Sequence, residues 1–546
     1  MFVGLRQPNG EEYWKAEAKR WQAEAERLAA QDVLQQAEIA DLKGQVAALS
    51  EKVTTLANLL YGKKTEKQKK TETEPDPGDG DEGPGASSPT DDAKRRRGQK
   101  PGSKGHGRRD YSKLETEERV HDVPDGKKSC PQCGADYERF GEETSDQVDW
   151  QVRLVRIVHR RPTYRRTCRC RVPGVIVAPV PPKVIRKGLF TAMFLARLLT
   201  EKYVLGRPLE RIVTALGNDG LDVATGTLVG VISACSVLLA PLDEAIRERN
   251  AAAGHLHIDE TSWSVFEAIG DKTNHAFWLW VFIGADTTVF AIEPTRATEV
   301  LRRHLGIDLK ATALVADRRL LVSSDFYGAY QSIAKLDGVH PLYCWAHIRR
   351  YFIRAAAAHK NLASWAAQWL ELIGALYVTH RALAGFEVGT EEHTRAEAAF
   401  ESALARIDRT RKRQAKDPGY HYKVYEVLAT LDHEWDGLKR HREFPELPLD
   451  NNAAERALRG PVVGRKNYYG SGSLKAAEAA GRIWTITATA QRAGWNPLTY
   501  LHAYLDACAT NGARPLAGKS LDRFLPWSAE AADHERFKAP PPGPAP

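Results

Sequence analysis

Asp259, Asp325 and Glu455 are the residues of this 546-residue chain whose types and settings point to chemistry. Asp259 lies in the middle of HLHIDETSWSV (255–265), a strand-like segment in which Leu256 and Ile258 imply a buried face. An ionised carboxylate there is costly unless it is paired or coordinates a cation. Asp325 follows the apolar run LLVSS and precedes a helix, so it stands at the carboxyl end of a strand. That is the edge of an α/β sheet where ligands bind. Two carboxylates from neighbouring strands and one from a later helix, Glu455, can bridge two Mg²⁺ ions. One ion then activates an oxygen nucleophile while the other stabilises the leaving oxygen of a phosphodiester. Mg²⁺ suits such a site because it takes few carboxylates and completes its octahedron with water and phosphate. Each residue taken alone has a simpler reading. Asp259 can cap a turn, Asp325 can be a helix N-cap, and Asn452-Ala-Ala-Glu455 has the spacing of a capping box.

The surrounding segments predict how these acids are positioned. Within 251–345, HLHIDETSWSV, FWLWVFIGA and TVFAIEPT read as successive strands and RATEVLRRHLG as a helix. ALVADRRLLVSSD and VHPLYCW follow as two more strands around a helical YGAYQSIAKL. Residues 346–445 are helical, a Pro-containing turn ends them, and a further helix starts at Asn452 within 446–475. Residues 476–530 form a C-terminal helical element. Upstream, 189–250 is helical, with Gly217 and Gly220 separating two segments. That is compatible with a helix-turn-helix, yet Thr225 to Leu238 carries almost no charge, so a helical scaffold is an equal alternative.

The amino-terminal part is organised differently. In 11–61, Ile39, Leu42, Val46, Leu49, Val53, Leu56 and Leu60 recur at alternating threes and fours, the seam of a parallel coiled coil and so of a homo-oligomer. Residues 62–110 are a linker too poor in apolar groups to be ordered, ending in a basic arm with Arg95, Arg96 and Arg97 that can follow phosphates or simply be solvated. In 111–185, Cys130-Pro-Gln-Cys133 and Cys168-Arg-Cys170 offer four thiolates for a tetrahedral, structural Zn²⁺. The second pair has one intervening residue rather than two, which leaves a ribbon-like module without an ion as the alternative.

Composition bounds the class. Apolar residues make up 42% and charged residues 27%, normal for a soluble multidomain protein. No apolar run approaches a membrane span and no signal peptide is apparent, so a cytoplasmic location and no membrane partner are expected. Seven cysteines argue against a disulfide framework, and a net charge of +8 is a mild hint of a polyanionic partner.

The segments HIDETSW (257–263), SSDFYGAY (323–330), CWAHIRRYF (344–352) and DNNAAERALRGPVVGRKNYYGSGS (450–473), in this order, resemble the insertion-sequence-66 family of DDE transposases. The resemblance implies a ribonuclease H-like catalytic domain with a large helical insertion, preceded by a coiled coil and a small zinc-ribbon-like cysteine module. It implies that Asp259, Asp325 and Glu455 (within Asn-Asn-x-x-Glu-Arg) are catalytic and hold two Mg²⁺ or Mn²⁺ ions. It implies double-stranded DNA as partner, both element ends and target, and small accessory proteins of the same element. A nucleoid-associated state when bound to DNA follows. The alternatives are a catalytically inactive DNA-binding relic and a ribonuclease H-like nuclease of recombination.

Around the acids, Arg459 lies one helical turn beyond Glu455 and is expected to orient it by a salt bridge. Arg456, Arg459, Arg465, Lys466, Tyr468 and Tyr469 are expected to contact DNA, with cations on phosphates and rings on an unstacked base, the alternative being a solvated helix end followed by a Gly-rich loop. Cys344 and His347 supply at most two metal ligands, so a structural role is expected for them, with Arg349 and Arg350 facing DNA. His255 and His257 carry no assignment. Deleting residues 1–61 is expected to lower the oligomeric state, and light scattering that returns an unchanged mass contradicts the coiled-coil reading.

Overall fold

A computed structural model describes residues 154–165, 167, 175–267, 275–315 and 317–540, together with Gln132 and Ala135. The expected coil (11–61), the arm with Arg95, Arg96 and Arg97, and the cysteines Cys130, Cys133, Cys168 and Cys170 lie outside the described residues. From 154 onward the described chain belongs to one compact unit.

The strands β1 (Thr163–Arg165) and β2 (Val175–Val177) pair as a short antiparallel ribbon. Four helices follow: α1 (Ala192–Leu199), extended by a π-helical turn at Thr200–Val204, α2 (Leu209–Asn218), α3 (Thr225–Leu238) and α4 (Ala240–Ala251). Thr191 starts α1 by accepting a hydrogen bond from Phe194 N. The weakly charged α3 buries Leu228, Ile232, Cys235 and Leu238 in the same core as the sheet. Among the described residues no single helix is long and apolar enough to cross a membrane; α3 and α4 reach that length only together, across a 53° bend.

The sheet combines β3 (His255–Val265), β4 (His275–Ile283), β5 (Thr288–Glu293), β6 (Leu320–Ser324) and β7 (Val339–Tyr343) in the order β5-β4-β3-β6-β7. The first three form an antiparallel meander, and β6 and β7 run parallel to β3. The mixed α/β class expected from the sequence is therefore present. β4 reads as an unbroken apolar run because it is covered on both faces: Leu279, Trp280, Val281 and Phe282 are all fully buried. Two short helices, α5 (Thr298–His304) and α6 (Gly328–Ile333), flank the strands.

Between β7 and the next helix that returns to the sheet stand α7 (Trp345–Ala358), α8 (Ala363–Leu383), α9 (Glu391–Ala415), α10 (Tyr422–His433) and α11 (Trp435–Lys439). They close a second hydrophobic core around Trp345, Phe352, Trp369, Ile407 and Leu431. α12 (Asn452–Tyr468) and α13 (Leu474–Arg492) then come back to the first core, followed by α14 (Pro497–Thr510), α15 (Lys519–Asp522) and α16 (Ala531–Lys538).

α13 also covers the exposed edge of the sheet. Outward-pointing backbone groups of an edge strand invite pairing with another chain unless they are covered. Here Thr485 Oγ1 accepts from Phe290 N at 2.9 Å, and Thr489 Oγ1 accepts from Thr288 N at 3.1 Å while donating to Thr288 O at 3.1 Å. Both threonines are fully or almost fully buried. One helical turn earlier, Gly481 lets the helix approach Phe290 O, which a Cβ would meet at 3.2 Å. Thr489→Val leaves a buried amide without its acceptor and is expected to cost about 1–3 kcal/mol. Thr487→Val, whose hydroxyl donates to Ile483 O of its own helix, is expected to cost less; equal urea-unfolding midpoints for the two variants contradict the role assigned to Thr489.

Candidate active site

The register of β3 against β6 brings two of the acids together. His255 pairs with Leu321 and His257 with Ser323, so the same offset sets Asp259 beside Asp325 just past the last pair. Side chains alternate along a strand, which places His255, His257 and Asp259 on one face of β3 and Leu256, Ile258 and Glu260 on the other. The neighbouring carboxylates consequently have different fates. Glu260 is buried, ion-paired with Arg296 and hydrogen-bonded by the Tyr330 hydroxyl. Arg296 is itself clamped over the rings of Tyr327 (3.6 Å to the centroid) and Trp278 (4.9 Å). Burial pushes the Glu260 carboxyl up, and Tyr330 and Arg296 pull it back.

Asp259 has no such compensation. It is half-buried, and its Oδ1 accepts a hydrogen bond from Glu260 N at 2.9 Å. Among the described residues no Lys, Arg or His forms an ion pair with it. Burial, then the charges of Glu260, Asp325 and Glu455, push its carboxyl up to about 8. Asp325, at the end of β6, turns one oxygen to Tyr327 N (2.9 Å) and so shapes the entry to α6. The three acids therefore stand within electrostatic reach of one another.

Glu455 is delivered by a clamp centred on Asn451. This residue is 1% exposed. Its Nδ2 donates to Ile258 O at 2.7 Å, its Oδ1 meets His257 Nδ1 at 3.0 Å, and its backbone N donates to Cys344 Sγ at 3.2 Å. The start of α12 is thereby tied both to the strand of Asp259 and to the start of α7. With Asn451 so engaged, the capping box at Asn452 does not form. Arg350 of α7 holds Glu455 instead, donating from Nη2 to both carboxylate oxygens at 2.6 and 2.7 Å. His347 Nε2 lies 3.7 Å from Glu455, and its buried Nδ1 has no hydrogen-bond partner. Burial and then Arg350 hold the His347 imidazole below its usual value, against the pull of Asp325 and Glu455.

This corrects two expectations. The cation on Glu455 is Arg350, from a different element, whereas Arg459 on the same helix is exposed. A helical turn sets Arg459 near Glu455 in sequence, but the carboxylate is turned toward α7, where a two-oxygen contact is available. Tyr468 is half-buried: its hydroxyl end packs on Gly464, Lys202 sits over its ring at 4.4 Å, and Trp263 lies against it. Tyr469 is the ring presented outward, 73% exposed at a φ of 66°. The loop after it is stitched to the end of β3, with Ser471 N donating to Ser264 O and Phe266 N to Ser471 O, both at 2.9 Å. A side chain at Gly470 would collide with Ser264 O, which requires glycine there. Arg465 reaches back to Thr261 Oγ1 (3.3 Å) and Ser262, Arg456 and Lys466 are exposed, and Arg349 is half-buried.

The donor set suits a hard divalent cation. A half-buried carboxylate raised by burial and by other carboxylates is stabilised in its charged form by an added cation, and oxygen donors are what Mg²⁺ takes. Among the described residues no three His, Cys, Asp or Glu side chains lie close enough to hold an ion together; Glu455 is drawn instead onto Arg350. Arg350 as the partner of Glu455, the Glu260–Arg296–Tyr330 group and the clamp at Asn451 are not apparent from local spacing. The adjacent asparagines 451 and 452 before a helix were the one available signal for the last.

Residues 187–479, more than half of the chain, match the family model described as Transposase IS66 family. The span includes Asp259, Asp325, Glu455, Arg350 and Asn451. Similar relatives from Sinorhizobium fredii (strain NBRC 101917 / NGR234) include the uncharacterized protein y4qI, 26% identical over 75% of this chain and 76% of its own length. The uncharacterized protein y4hP is 24% identical over 74% of each chain, and y4jD is 23% identical over 74% of this chain and 78% of its own. No solved structure matches the chain.

The raised carboxyl of Asp259 has a consequence for stability. Between an unfolded value near 4 and a folded value of about 8, the metal-free folded state holds the extra proton, so stability falls as pH rises through this window. Asp259→Asn removes the dependence. In EDTA its melting temperature is expected to exceed that of the wild type by a margin that widens toward pH 8; a margin constant with pH contradicts the burial of this charge.

Proposed function

Because this chain belongs to the IS66 family of transposases, we propose that it cuts DNA at the ends of an insertion sequence and joins the freed 3′-hydroxyls to target DNA, using Asp259, Asp325 and Glu455. The observation that carries this reading is the half-buried Asp259 carboxylate, raised by burial and then by the charges of Glu260, Asp325 and Glu455, and ion-paired with no protein cation among the described residues. The sheet order, an antiparallel meander followed by two parallel strands, supports a ribonuclease H-like domain in which the first strand, the fourth strand and a later helix carry the acids.

Two Mg²⁺ or Mn²⁺ ions on these carboxylates would supply Lewis acidity at the attacking and leaving oxygens of a phosphodiester. The chain's own residues then have separable tasks. Asp259 and Asp325 offer oxygens from adjacent strand ends. Glu455 joins them by leaving Arg350, and the released guanidinium is then available to a DNA phosphate. Beyond Glu455, the exposed Arg456, Arg459 and Lys466 favour the backbone of the strand being cut, and the outward ring of Tyr469 offers a stacking surface to an unstacked base. Duplex DNA is thus the partner. A second copy joined through 11–61 would bring two ends together, a structural Zn²⁺ would sit on Cys130, Cys133, Cys168 and Cys170, and accessory proteins of the same element complete the expected assembly.

Asp259→Asn, Asp325→Asn and Glu455→Gln in the full chain are expected to abolish Mg²⁺-dependent cleavage and joining of a duplex carrying an element end, while binding of that duplex is largely kept. A variant that retains full activity removes its residue from the catalytic set.

A further inference from the structure

Away from the acids, the helical segment between β7 and α12 carries a cleft of about 620 Å³ between α8 and α9. Its rim is formed by Arg406, Arg409 and Arg413 of α9, opposite Gln368 and Leu372 of α8. Steps of three and four residues put the three arginines on one helical face, spread over about 10 Å of helix. All three are exposed, and none of them forms an ion pair or a side-chain hydrogen bond among the described residues. The acid of the lining, Glu371, has an interaction of its own.

The other cations of α9 are engaged. Arg411 is 6% exposed, pairs with Asp408 and Asp432, and lies over the Trp435 ring at 4.4 Å. Lys412 pairs with Asp408 at 2.7 Å, and Arg395 with Glu392. The helix therefore separates structural cations from three that have no ion-pair partner among the described residues. Like charges at these spacings weaken a helix, so the row is an internal cost that an external anion relieves. The floor beneath it is firm: Trp369 is fully buried, and the indole N–H groups of Trp365 and Trp369 both donate to Gln414 Oε1 at 2.9 Å.

We propose that the α8/α9 cleft is a second DNA-binding site, in which Arg406, Arg409 and Arg413 hold successive phosphates of a duplex backbone without reading its sequence. The cations are strung along the helix rather than converging on a point, which matches a line of phosphates better than a single small anion. Among the described lining residues no aromatic ring is exposed to stack a base, since Trp369 is buried, so the cleft contacts the backbone. Guanidinium groups suit phosphate oxygens through paired N–H donors. Because the segment has its own hydrophobic core, it can carry this surface independently of the sheet.

This inference rests on the proposed function in taking DNA as the partner, and the test separates the two. Fluorescence anisotropy of the full chain on an element-end duplex and on a scrambled duplex, across a series of KCl concentrations, gives the slope of log K against log salt. Each lost phosphate contact lowers that slope by about 0.9. The triple variant Arg406→Gln, Arg409→Gln, Arg413→Gln is expected to flatten it by about 2–3, equally on both duplexes, with a melting temperature no lower than that of the wild type. The corresponding triple Lys variant is expected to keep most of the slope. A wild-type chain that binds neither duplex overturns the proposed function; a wild-type chain that binds, with a triple Gln variant of unchanged affinity and slope, overturns the cleft alone.

Discussion

The hydrogen bonds of one buried asparagine hold the candidate site together. Asn451 reaches Ile258 O and His257 on the strand of Asp259, and Cys344 at the start of the helix of His347 and Arg350; its own carbonyl begins the helix of Glu455. These partners are separated by as many as 194 residues in sequence. The connection is short because each group is a backbone or short polar atom in a dry setting, where an unmade hydrogen bond is expensive. Leu449 O, accepting from Trp345 N at 2.9 Å, adds a second tie at the same junction. The helical segment between β7 and α12 can therefore form its own core while its two ends remain fastened beside the acids.

Charge on β3 is distributed with equal economy. Glu260, facing one way, meets Arg296 and Tyr330 and is a structural ion pair. Asp259, facing the other way, meets acids. A fold that pairs one carboxylate with a guanidinium and a phenol, and gives its neighbour no ion pair among the described residues, has a position that favours positive charge arriving from outside. Glu455 completes the contrast, since its charge is balanced by Arg350, a side chain that can let go without disturbing the helix that carries it. Exchanging one guanidinium contact is a smaller rearrangement than moving a strand.

Much of the architecture was legible in the sequence for identifiable reasons. β3 follows HLHIDETSWSV from end to end although its apolar residues change phase, with Leu256 and Ile258 at even positions and Trp263 and Val265 at odd ones, and β4 stands out because a fully covered strand needs apolar residues at every position. β6 is shorter than ALVADRRLLVSSD suggested, since only LLVSS lies against β3 and β7. Of the candidate site, the strand and helix positions of the three acids were legible. The partner of Glu455 was not, because helical spacing identifies the neighbours on one helix and says nothing about a second helix packed against it. Tyr468 and Tyr469 are equivalent as letters; the left-handed turn at Tyr469 is what sends one ring inward and the other out.

What the residues determined by themselves is the local order: which segments are strands, which are helices, and that acids stand at a strand centre, a strand end and a helix start. Periodicity and caps act over a few residues, so a single chain displays them. Only the tertiary structure decided that β3 lies between β4 and β6, that Asp259 and Asp325 thereby fall side by side, and that Glu455 rests on Arg350 rather than Arg459. Those outcomes depend on strand register and on which buried polar atoms find partners across nearly two hundred residues, and such pairings are settled only when the whole core closes.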